Sequence, residues 1–291
     1  MTAPTGAAPP HLVRGILLLV AAVCTFAVVD AIVKLLARSY PVPLLVWARY
    51  ASQTLFMLLV LGPRLGTGLV RSRRPGLQVI RGLVLVTSSM FFFTGLARLP
   101  LAETSAIGFL SPLLLAGMSV WLLKERVRRS VWAAIVAGFV GVLFIVRPGG
   151  EVFTPWAILP ALSAACFAAY QLLTRKLAGV DSTMATLFYG AIVGTILLSL
   201  GLPIFWQTPA SALDWALFCV LGVLGGAGHF TLIRAFHHAP PAALAPFVYV
   251  QLVAVLALGY VLFGEFPDGW SLVGMGIIVL SGAWIAARQR R

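Results

Sequence analysis

The sequence predicts an all-α membrane protein with ten transmembrane helices, arranged as two inverted repeats of five. Three observations support this fold class. Hydrophobic residues make up 60% of the 291 residues and charged residues only 10%, whereas about a quarter of the residues in soluble domains are charged. Ten stretches are apolar and close to the roughly 20 residues that a helix needs to cross a bilayer. The spacing of these stretches also recurs between the two halves of the chain.

The ten predicted helices follow one another with short connections, so we expect no separate soluble domain. Their predicted bounds are 14–33, 43–61, 77–97, 101–122, 130–146, 155–174, 183–202, 213–233, 241–263 and 269–287. The first five form a repeat over residues 14–149, and the last five form a second repeat over residues 150–287. Residues 1–13 and 288–291 are then short cytoplasmic tails.

Aligned residues support the repeat as well as the pattern of apolar stretches. At an offset of 142, Ala22, Cys24, Ala27, Lys34 and Leu35 align with Ala164, Cys166, Ala169, Lys176 and Leu177. At an offset of 140, Pro100, Ala102, Leu122 and Glu125 align with Pro240, Ala242, Leu262 and Glu265. Because each copy crosses the membrane an odd number of times, the second copy is upside down relative to the first. Such inverted repeats are typical of secondary transporters, whose substrate site lies between the halves.

The net charge of +13 is distributed as the positive-inside rule predicts. With a cytoplasmic N-terminus, most Lys and Arg residues, Arg81 among them, fall at the cytoplasmic ends of the predicted helices. The basic residues at the outer ends are Lys34, Arg38, Arg98 and Arg147. We therefore expect both termini in the cytoplasm and the protein in the inner (plasma) membrane. The cluster Arg71, Arg73 and Arg74 is expected to bind membrane lipids rather than nucleic acid.

The sequence offers no chemistry typical of an enzyme or a metalloprotein. It lacks the His-Glu-x-x-His and Gly-x-Ser-x-Gly motifs, and no two carboxylates fall at one depth of the predicted bundle. Cys24, Cys166 and Cys219 lie within predicted helices without a metal-ligand spacing, so we expect them to pack as small apolar residues. We expect no catalytic residues, no metal and no cofactor.

The segment from Leu99 to Gly149 resembles the EamA domain of the drug/metabolite transporter superfamily. The resemblance lies in Ala102-Glu103-Thr104-Ser105-Ala106, Ser111-Pro112, Lys124-Glu125-Arg126, and the helix that contains Gly138 and Gly141. Residues 239–287 repeat this form more loosely, so the resemblance covers nearly the whole chain. It implies a secondary transporter that moves a small organic metabolite by alternating access between the two repeats.

Three further stretches are similar to a subgroup that includes bacterial carriers for S-adenosylmethionine and riboflavin. They are residues 79–82, 245–249 and 263–268. Metallophore exporters are similar at this level, so uptake of riboflavin or S-adenosylmethionine and export of amino acids or metallophores are all candidate activities. A membrane scaffold or sensor without transport is the alternative. The sequence leaves open the direction, proton coupling against exchange or facilitated diffusion, and a monomer against a homodimer.

Asp30 and Arg49 are the charged candidates for the transport path. Ionisable groups within a span cost about 2.5 to 3.5 kcal/mol each on insertion scales and face a cavity or a partner. Asp30 lies toward the outer end of the first predicted helix and Arg49 about two turns into the second, so they can form an ion pair. Such a pair would tether the two helices, or it would act as a gate or a docking point for a charged substrate group.

Trp47 and Tyr189 place an aromatic ring at corresponding positions of the two repeats. Such rings can stack on a planar or cationic substrate. Aromatic residues near helix ends also form interfacial belts, and for Trp47 both interpretations stay open. Tyr189 lies deeper in its predicted helix, which favours the cavity.

Polar groups near the midplane are the remaining candidates on the third, fourth and ninth predicted helices. Ser111 and Gln251 are repeat partners at similar depth, and Ser88 lies in the middle of the third helix. Pro112 and Pro246 are predicted helix breaks that free backbone carbonyls for solute binding. These side chains either contact substrate or join helices to one another.

Tyr170, Gln171 and His229 are expected nearer the cytoplasmic side, and Tyr249 belongs to the stretch at 245–249. His229 follows a run of glycines that lets another helix approach closely. It is either a packing residue or a proton relay.

Overall fold

The computed structural model describes residues 12–122, 129–150, 152–177, 180–239 and 244–288. Every regular element within these ranges is a helix, so the all-α prediction is confirmed. Most of the predicted tails, residues 1–13 and 288–291, lie outside the described residues.

Within the described ranges, the first half of the chain folds into seven α-helices and one short 3₁₀ segment, Gly66–Leu69. The α-helices are α1 (Leu12–Leu36), α2 (Val42–Val60), α3 (Gly62–Leu65), α4 (Pro75–Arg98), α5 (Leu101–Gly108), α6 (Ser111–Leu122) and α7 (Arg129–Ile145). Pro43 and Pro75 lie in the first turns of α2 and α4, where a missing N–H costs no hydrogen bond. Leu99 precedes Pro100 and is extended, which ends α4.

The second half contains five α-helices and two short 3₁₀ segments within the described residues. They are the 3₁₀ segment Pro155–Ala157, α8 (Ile158–Leu177), α9 (Thr183–Phe205), α10 (Ala212–His238), the 3₁₀ segment Ala245–Tyr249, α11 (Val250–Phe263) and α12 (Gly269–Arg288). A capping box starts α10, because Ser211 and Asp214 each accept the other's backbone N–H. Gly264, with φ 68°, ends α11 in a left-handed conformation that suits glycine.

Two of the predicted helices are interrupted. The fourth is divided into α5 and α6 by a turn at Phe109 and Leu110, because Pro112 has no N–H to donate to the carbonyl of Gly108. The ninth is divided between the 3₁₀ segment Ala245–Tyr249 and α11, and its first residues lie outside the described ranges. Both breaks fall beside a proline.

Seven helical segments of the described chain are long and apolar enough to cross a membrane. They are Leu12–Leu36, Val42–Val60, Pro75–Arg98, Leu101–Met118, Pro155–Leu177, Thr183–Phe205 and Ala212–Ala235. Three shorter apolar helices, Ser130–Ile145, Phe247–Phe263 and Gly269–Ile285, occupy the remaining predicted positions. The chain is therefore a multi-pass membrane protein.

The packing of the helices follows the repeat. In the first half α1 packs on α10 and α11, and its counterpart α8 packs on α4 and α6. The contact of α2 with α10 likewise matches the contact of α9 with α4. Two other contacts, α2 with α9 and α7 with α12, each join a helix of the first half to its own counterpart in the second. Each half is thus packed against helices of the other, and α2, α4, α8, α9 and α10 surround the centre of the bundle.

Glycines set the closest of these helix crossings. A side chain at Gly222 would collide with the backbone of Arg49 and Gln53, so this glycine lets α10 approach α2. A β-carbon at Gly141 of α7 would lie 2.8 Å from the carbonyl oxygen of Gly274 on α12. Small residues at such crossings are the usual way in which membrane helices pack closely.

Candidate functional site

A narrow polar cavity lies where α2, α4, α8, α9 and α10 meet, and we call it the central cavity. It is lined by Arg49, Tyr50, Gln53, Arg81, Leu85, Tyr170, Leu187, Gly190, Ala191 and His229. Its volume is about 10 Å³, roughly the room that one water molecule needs. Residues from both halves form the cavity, and it is closed around any larger solute.

Arg49 reaches the central cavity from α2. Its Nη1 donates a hydrogen bond of 3.1 Å to Ser89 Oγ on α4, and the Tyr50 hydroxyl lies 2.7 Å from the same oxygen. The guanidinium lies over the rings of Tyr50 and Phe93, 5.3 and 5.7 Å from their centroids. Arg49 Nε is buried and has no hydrogen-bond partner among the described residues. Arg49 is thus fixed against two aromatic faces while part of its donor capacity is unused.

Arg81 enters the cavity from α4 and is only 2% exposed. It donates from Nε to Thr174 Oγ1 at 2.7 Å, from Nη1 to the Thr186 carbonyl at 2.9 Å, and from Nη2 to the Tyr170 hydroxyl at 2.5 Å. Its guanidinium also lies 4.3 Å from the centroid of the Tyr170 ring. Arg81, which the charge distribution predicts on the cytoplasmic side, does not face lipid head groups or solvent: its side chain points inward and joins α4 to α8 and α9.

His229 lines the cavity from α10. Its ring packs against Phe26 of α1, with centroids 4.9 Å apart, and the chain of α10 can lie this close because Gly228 faces the same Phe26 ring. The contact with Phe26 fits the packing role, and the position beside Arg49 and Arg81 brings the imidazole to the same cavity.

No acidic residue is among those that line the central cavity. Asp30 of α1 is 7% exposed and accepts a hydrogen bond of 3.3 Å from Gln251 Nε2 on α11. Asp30 interacts electrostatically with Arg49, but the two residues form no close ion pair. The direct partner of Asp30 is therefore Gln251, a contact that joins the two halves.

Two further polar contacts join helices away from the cavity lining. Gln171 Nε2 donates to Ser111 Oγ at 3.0 Å between α8 and α6. The Ser88 and Ser163 hydroxyls lie 3.0 Å apart between α4 and α8. These contacts satisfy buried hydroxyl and amide groups and join α4 and α6 to α8.

Trp47 belongs to a group of tryptophans at one end of the bundle. Its Nε1 donates to Ser199 Oγ at 2.9 Å, and its ring meets Trp206 edge-on at 5.9 Å. Trp206 in turn lies 6.5 Å from Trp215. Rings gathered at helix ends are typical of an interfacial belt.

Tyr189 and Tyr249 also lie away from the cavity lining. The Tyr189 hydroxyl donates to the carbonyl of Val70 at 3.1 Å, near the start of α4. The Tyr249 ring packs on Phe109 with centroids 5.4 Å apart, which brings the breaks near Pro112 and Pro246 together. Of the predicted site residues, the structure places Arg49, Tyr170 and His229 in one cavity.

Hydrogen bonds join the two halves at both ends of the bundle. End A is where α1 ends and α2 begins, and end B is where α2 ends and α4 begins. At end A, the Tyr40 hydroxyl donates to Asp214 Oδ2 at 2.8 Å and accepts the N–H of Ala210 at 2.7 Å. We call this contact latch A. It ties the α1–α2 connection of the first half to the start of α10 in the second.

At end B, Asp181 forms the corresponding contact, which we call latch B. Its carboxylate accepts hydrogen bonds from Ser72 Oγ at 2.5 Å, the N–H of Arg73 at 2.7 Å, and Gln78 Nε2 at 2.9 Å. Burial opposes ionisation of Asp181, but these hydrogen bonds outweigh it and hold the pKa of the carboxyl below its usual value. Latch B ties the α8–α9 connection to the start of α4.

The two latches are related by the repeat. At the offset of 142, Tyr40 and Asp214 correspond to Ser182 and Ser72. Ser72 is the partner of Asp181, the neighbour of Ser182. In each half, therefore, the connection between the first and second long helix is bonded to the start of the third long helix of the other half. Latch A is this contact at end A, and latch B is its counterpart at end B.

A second, open pocket of about 340 Å³ lies at end A. Its charged lining residues are Lys34, Arg38, Arg98 and Glu265. Lys34 is buried and pairs with Glu265 at 3.0 Å, while its Nζ also donates to the Leu99 carbonyl at 2.5 Å. Glu265 in turn accepts the N–H of Leu101, at the start of α5, at 2.9 Å. The pair ties α1 to the junction of α4 and α5 and to the end of α11.

Four residues at or beside the central cavity are not among the predicted site residues: Tyr50, Gln53, Arg81 and Ser89. Arg81 lies within a predicted span, so the cost of a charge in the membrane was a signal for it. Tyr50 directly follows Arg49, whereas no sequence pattern distinguishes Gln53 or Ser89 from other polar residues of the bundle.

The described residues contain no group of three or more His, Cys, Asp or Glu side chains that could hold a metal ion. The three cysteines are free thiols.

The model of the EamA-like transporter family matches the chain twice, over residues 13–147 and 154–287. The S-adenosylmethionine uptake transporter of Rickettsia conorii is 31% identical over 229 residues, which cover 78% of this chain and 76% of the relative. The pseudopaline exporter of Pseudomonas aeruginosa is 30% identical over 271 residues, covering 92% of this chain and 94% of the relative. The riboflavin transporter of Vibrio cholerae is 28% identical over 282 residues, 94% of this chain and 93% of the relative.

A solved crystal structure has a similar fold. It superposes with a TM-score of 0.64 at 21% identity, and the match covers 96% of this chain and 99% of the other. At this identity the likeness concerns the fold alone.

Proposed function

This chain belongs to the EamA-like transporter family of the drug/metabolite transporter superfamily, and from that membership we propose that it carries a small organic metabolite across the inner membrane by alternating access. The two matches to the family model give it a two-repeat architecture. In our proposal the repeats are inverted, and the three shorter apolar helices complete a count of ten spans. Both termini are then cytoplasmic, end A faces outward, and end B faces the cytoplasm.

The observation that carries the proposal is a narrow cavity, lined by polar residues of both halves, with a latch between the halves at each end of the bundle. Transport by alternating access needs a site between the halves that can open to one side at a time. The central cavity is built by both halves, and latches A and B bond them together at the two ends. Release of latch B alone would open the cavity to the cytoplasm, and release of latch A alone would open it outward.

The relatives suggest which solutes to test. Proteins named as transporters of S-adenosylmethionine, riboflavin and pseudopaline share 28% to 31% of their residues with this chain. We propose that the solute of this chain comes from this range of water-soluble metabolites. The cavity must widen to admit any of them, since its present volume is about 10 Å³.

The test is uptake of labelled S-adenosylmethionine, riboflavin and a mixed amino-acid pool into inside-out and right-side-out vesicles that contain the protein. We expect saturable uptake of at least one solute, and the orientation in which it occurs gives the direction. Vesicles with the Gly222→Leu variant, which cannot pack α10 against α2, serve as the control. Absence of saturable flux for every solute in both orientations would contradict transport and favour a scaffold or sensor.

A further inference from the structure

We propose that the solute carries a carboxylate and that Arg49 binds it in the central cavity, with Arg81 as a fixed positive charge beside it. The inference rests on the proposed function and names the chemical class of its substrate. Three observations lead to it: the charge balance of the cavity, the unused donors of Arg49, and a basic pocket at end A.

The charge balance of the cavity is positive. Arg49 and Arg81 both line it, and none of its lining residues is acidic. Asp30 lies close enough to interact with Arg49 but is bonded to Gln251 instead of forming an ion pair. Two guanidiniums and one nearby carboxylate leave an excess positive charge inside the membrane, where an uncompensated charge is unfavourable. An anionic group on the solute would compensate it.

The two arginines differ in what they can still bind. Arg81 has all three of its nitrogens in hydrogen bonds with α8 and α9, so it is a structural element of the cavity wall. Arg49 uses only Nη1, in its bond to Ser89, and its buried Nε is without a partner. An arginine carries five N–H donors in a planar fork that matches the two oxygens of a carboxylate. Arg49 is therefore the residue that can receive the anion.

The surroundings of Arg49 hold the guanidinium in place for such a contact. Its plane lies against the rings of Tyr50 and Phe93, which limits the positions that the side chain can adopt. A β-carbon at Gly225 of α10 would lie 3.4 Å from Arg49 Nε, so the glycine keeps this position free of a side chain beside the unused donor. A preorganised arginine loses less entropy on binding than a mobile one.

The pocket at end A would attract the same kind of solute. The lining of this opening of about 340 Å³ holds three basic side chains, Lys34, Arg38 and Arg98, against one carboxylate, Glu265. A cleft of one charge concentrates ions of the opposite charge at its mouth. In the proposed orientation this mouth is the outer entrance of the path.

Matched pairs of solutes, with and without the carboxylate, test the inference. S-adenosylmethionine and its decarboxylated analogue share the adenosine and the sulfonium, and methionine and methioninamide differ only at the carboxyl group. Competition of each against labelled S-adenosylmethionine is measured in vesicles with the wild type, Arg49→Gln and Arg49→Lys. Arg147→Gln, which removes a charge that pairs with Asp268 outside the cavity, is the matched control.

We expect the carboxylate form to compete at least about tenfold more strongly in the wild type, the loss that corresponds to one charge-assisted contact. The preference should fall to about one in Arg49→Gln, be restored in part in Arg49→Lys, and be unchanged in the control. Equal competition by both members of each pair would overturn the inference. So would a preference that persists in Arg49→Gln.

A binding measurement separates this inference from the proposed function. Thermal unfolding of the detergent-solubilised wild type is followed with methionine or methioninamide, which needs no flux. A stabilisation by the acid that is absent with the amide, and lost in Arg49→Gln, supports the carboxylate site even where no solute moves. Saturable transport of riboflavin, which has no carboxylate, without any transport of S-adenosylmethionine would overturn the inference and leave transport standing.

Discussion

Removal of latch B by Asp181→Ala should open the central cavity to end B. The carboxylate accepts three hydrogen bonds, of 2.5, 2.7 and 2.9 Å, from the start of α4. Asp181 is partly exposed, so the groups that donate to it can bond to water after the substitution. The loss of each hydrogen bond therefore costs little, about 0.5 to 1 kcal/mol of free energy. The total of about 2 kcal/mol corresponds to a change of about thirtyfold in the ratio of open to closed forms.

A cysteine in the cavity measures this change. Leu85 lines the cavity near the middle of α4, so Leu85→Cys, in a background in which Cys24, Cys166 and Cys219 are replaced by Ser, reports access. Alkylation by a membrane-impermeant maleimide is followed from each side of oriented vesicles. Asp181→Ala should raise the labelling rate from end B by up to about thirtyfold and leave the rate from end A unchanged or lower.

Two variants complete the experiment. Thr183→Ala changes an exposed neighbour of latch B and should leave both rates unchanged. Tyr40→Phe removes latch A. The protein then loses the hydrogen bond to the Asp214 carboxylate, and the N–H of Ala210 loses its acceptor. This substitution should raise the labelling rate from end A by about tenfold. Faster labelling from the same side in both latch variants, or no change in either, would refute the assignment of the latches to opposite sides.

Three other predictions concern packing, pairing and pH. Gly222→Leu should abolish flux and lower the amount of folded protein, because a side chain at this position collides with the α2 backbone. Fluorescence-detected size exclusion measures the amount of folded protein. Gly276→Ala is the control, because a β-carbon there meets nothing within 4 Å. Lys34→Glu should lower thermal stability by leaving Glu265 beside a second carboxylate, and Lys34→Glu with Glu265→Lys should recover part of the loss in the same unfolding assay. The pKa of Asp181 is lower in the closed protein than in an unbonded state, so its latch is at full strength above about pH 4 and weakens only as the pH falls through the lowered value. The labelling rate itself rises with pH because the thiolate is the reacting form, so the end-B rate is divided by that of Asp181→Ala at the same pH. This ratio should be constant from pH 5 to 8, and a change across that interval would contradict the prediction.

Much of the fold could be predicted because the bilayer restricts the choices. A chain that crosses lipid must form helices or a closed barrel, so long apolar stretches predict helices. The helices of the structure begin and end close to the predicted bounds. The break before Pro112 follows from the missing N–H of proline. By contrast, three apolar helices fall short of the length criterion, so the number of crossings stays a prediction.

The candidate site was harder to predict, because the direction of a side chain depends on how its helix is rotated. Arg49 and Arg81 were both visible as charges in or near spans, but only packing decides that they face one cavity. The depth of Tyr189 predicts a place in the cavity, yet α9 turns its hydroxyl toward the carbonyl of Val70. Asp30 was paired with Arg49 on depth alone, whereas Gln251 comes closer from a helix distant in sequence.

Exchange across the membrane tests the central claim, alternating access between the two halves, most directly. Vesicles containing the protein are preloaded with the unlabelled solute that the uptake experiment identifies, and entry of the labelled solute is followed. A carrier with one cavity that opens to one side at a time should show faster labelled entry into preloaded than into empty vesicles, with saturation on both sides. Labelled entry that is independent of preloading and rises in proportion to concentration would indicate an open pore and contradict the account.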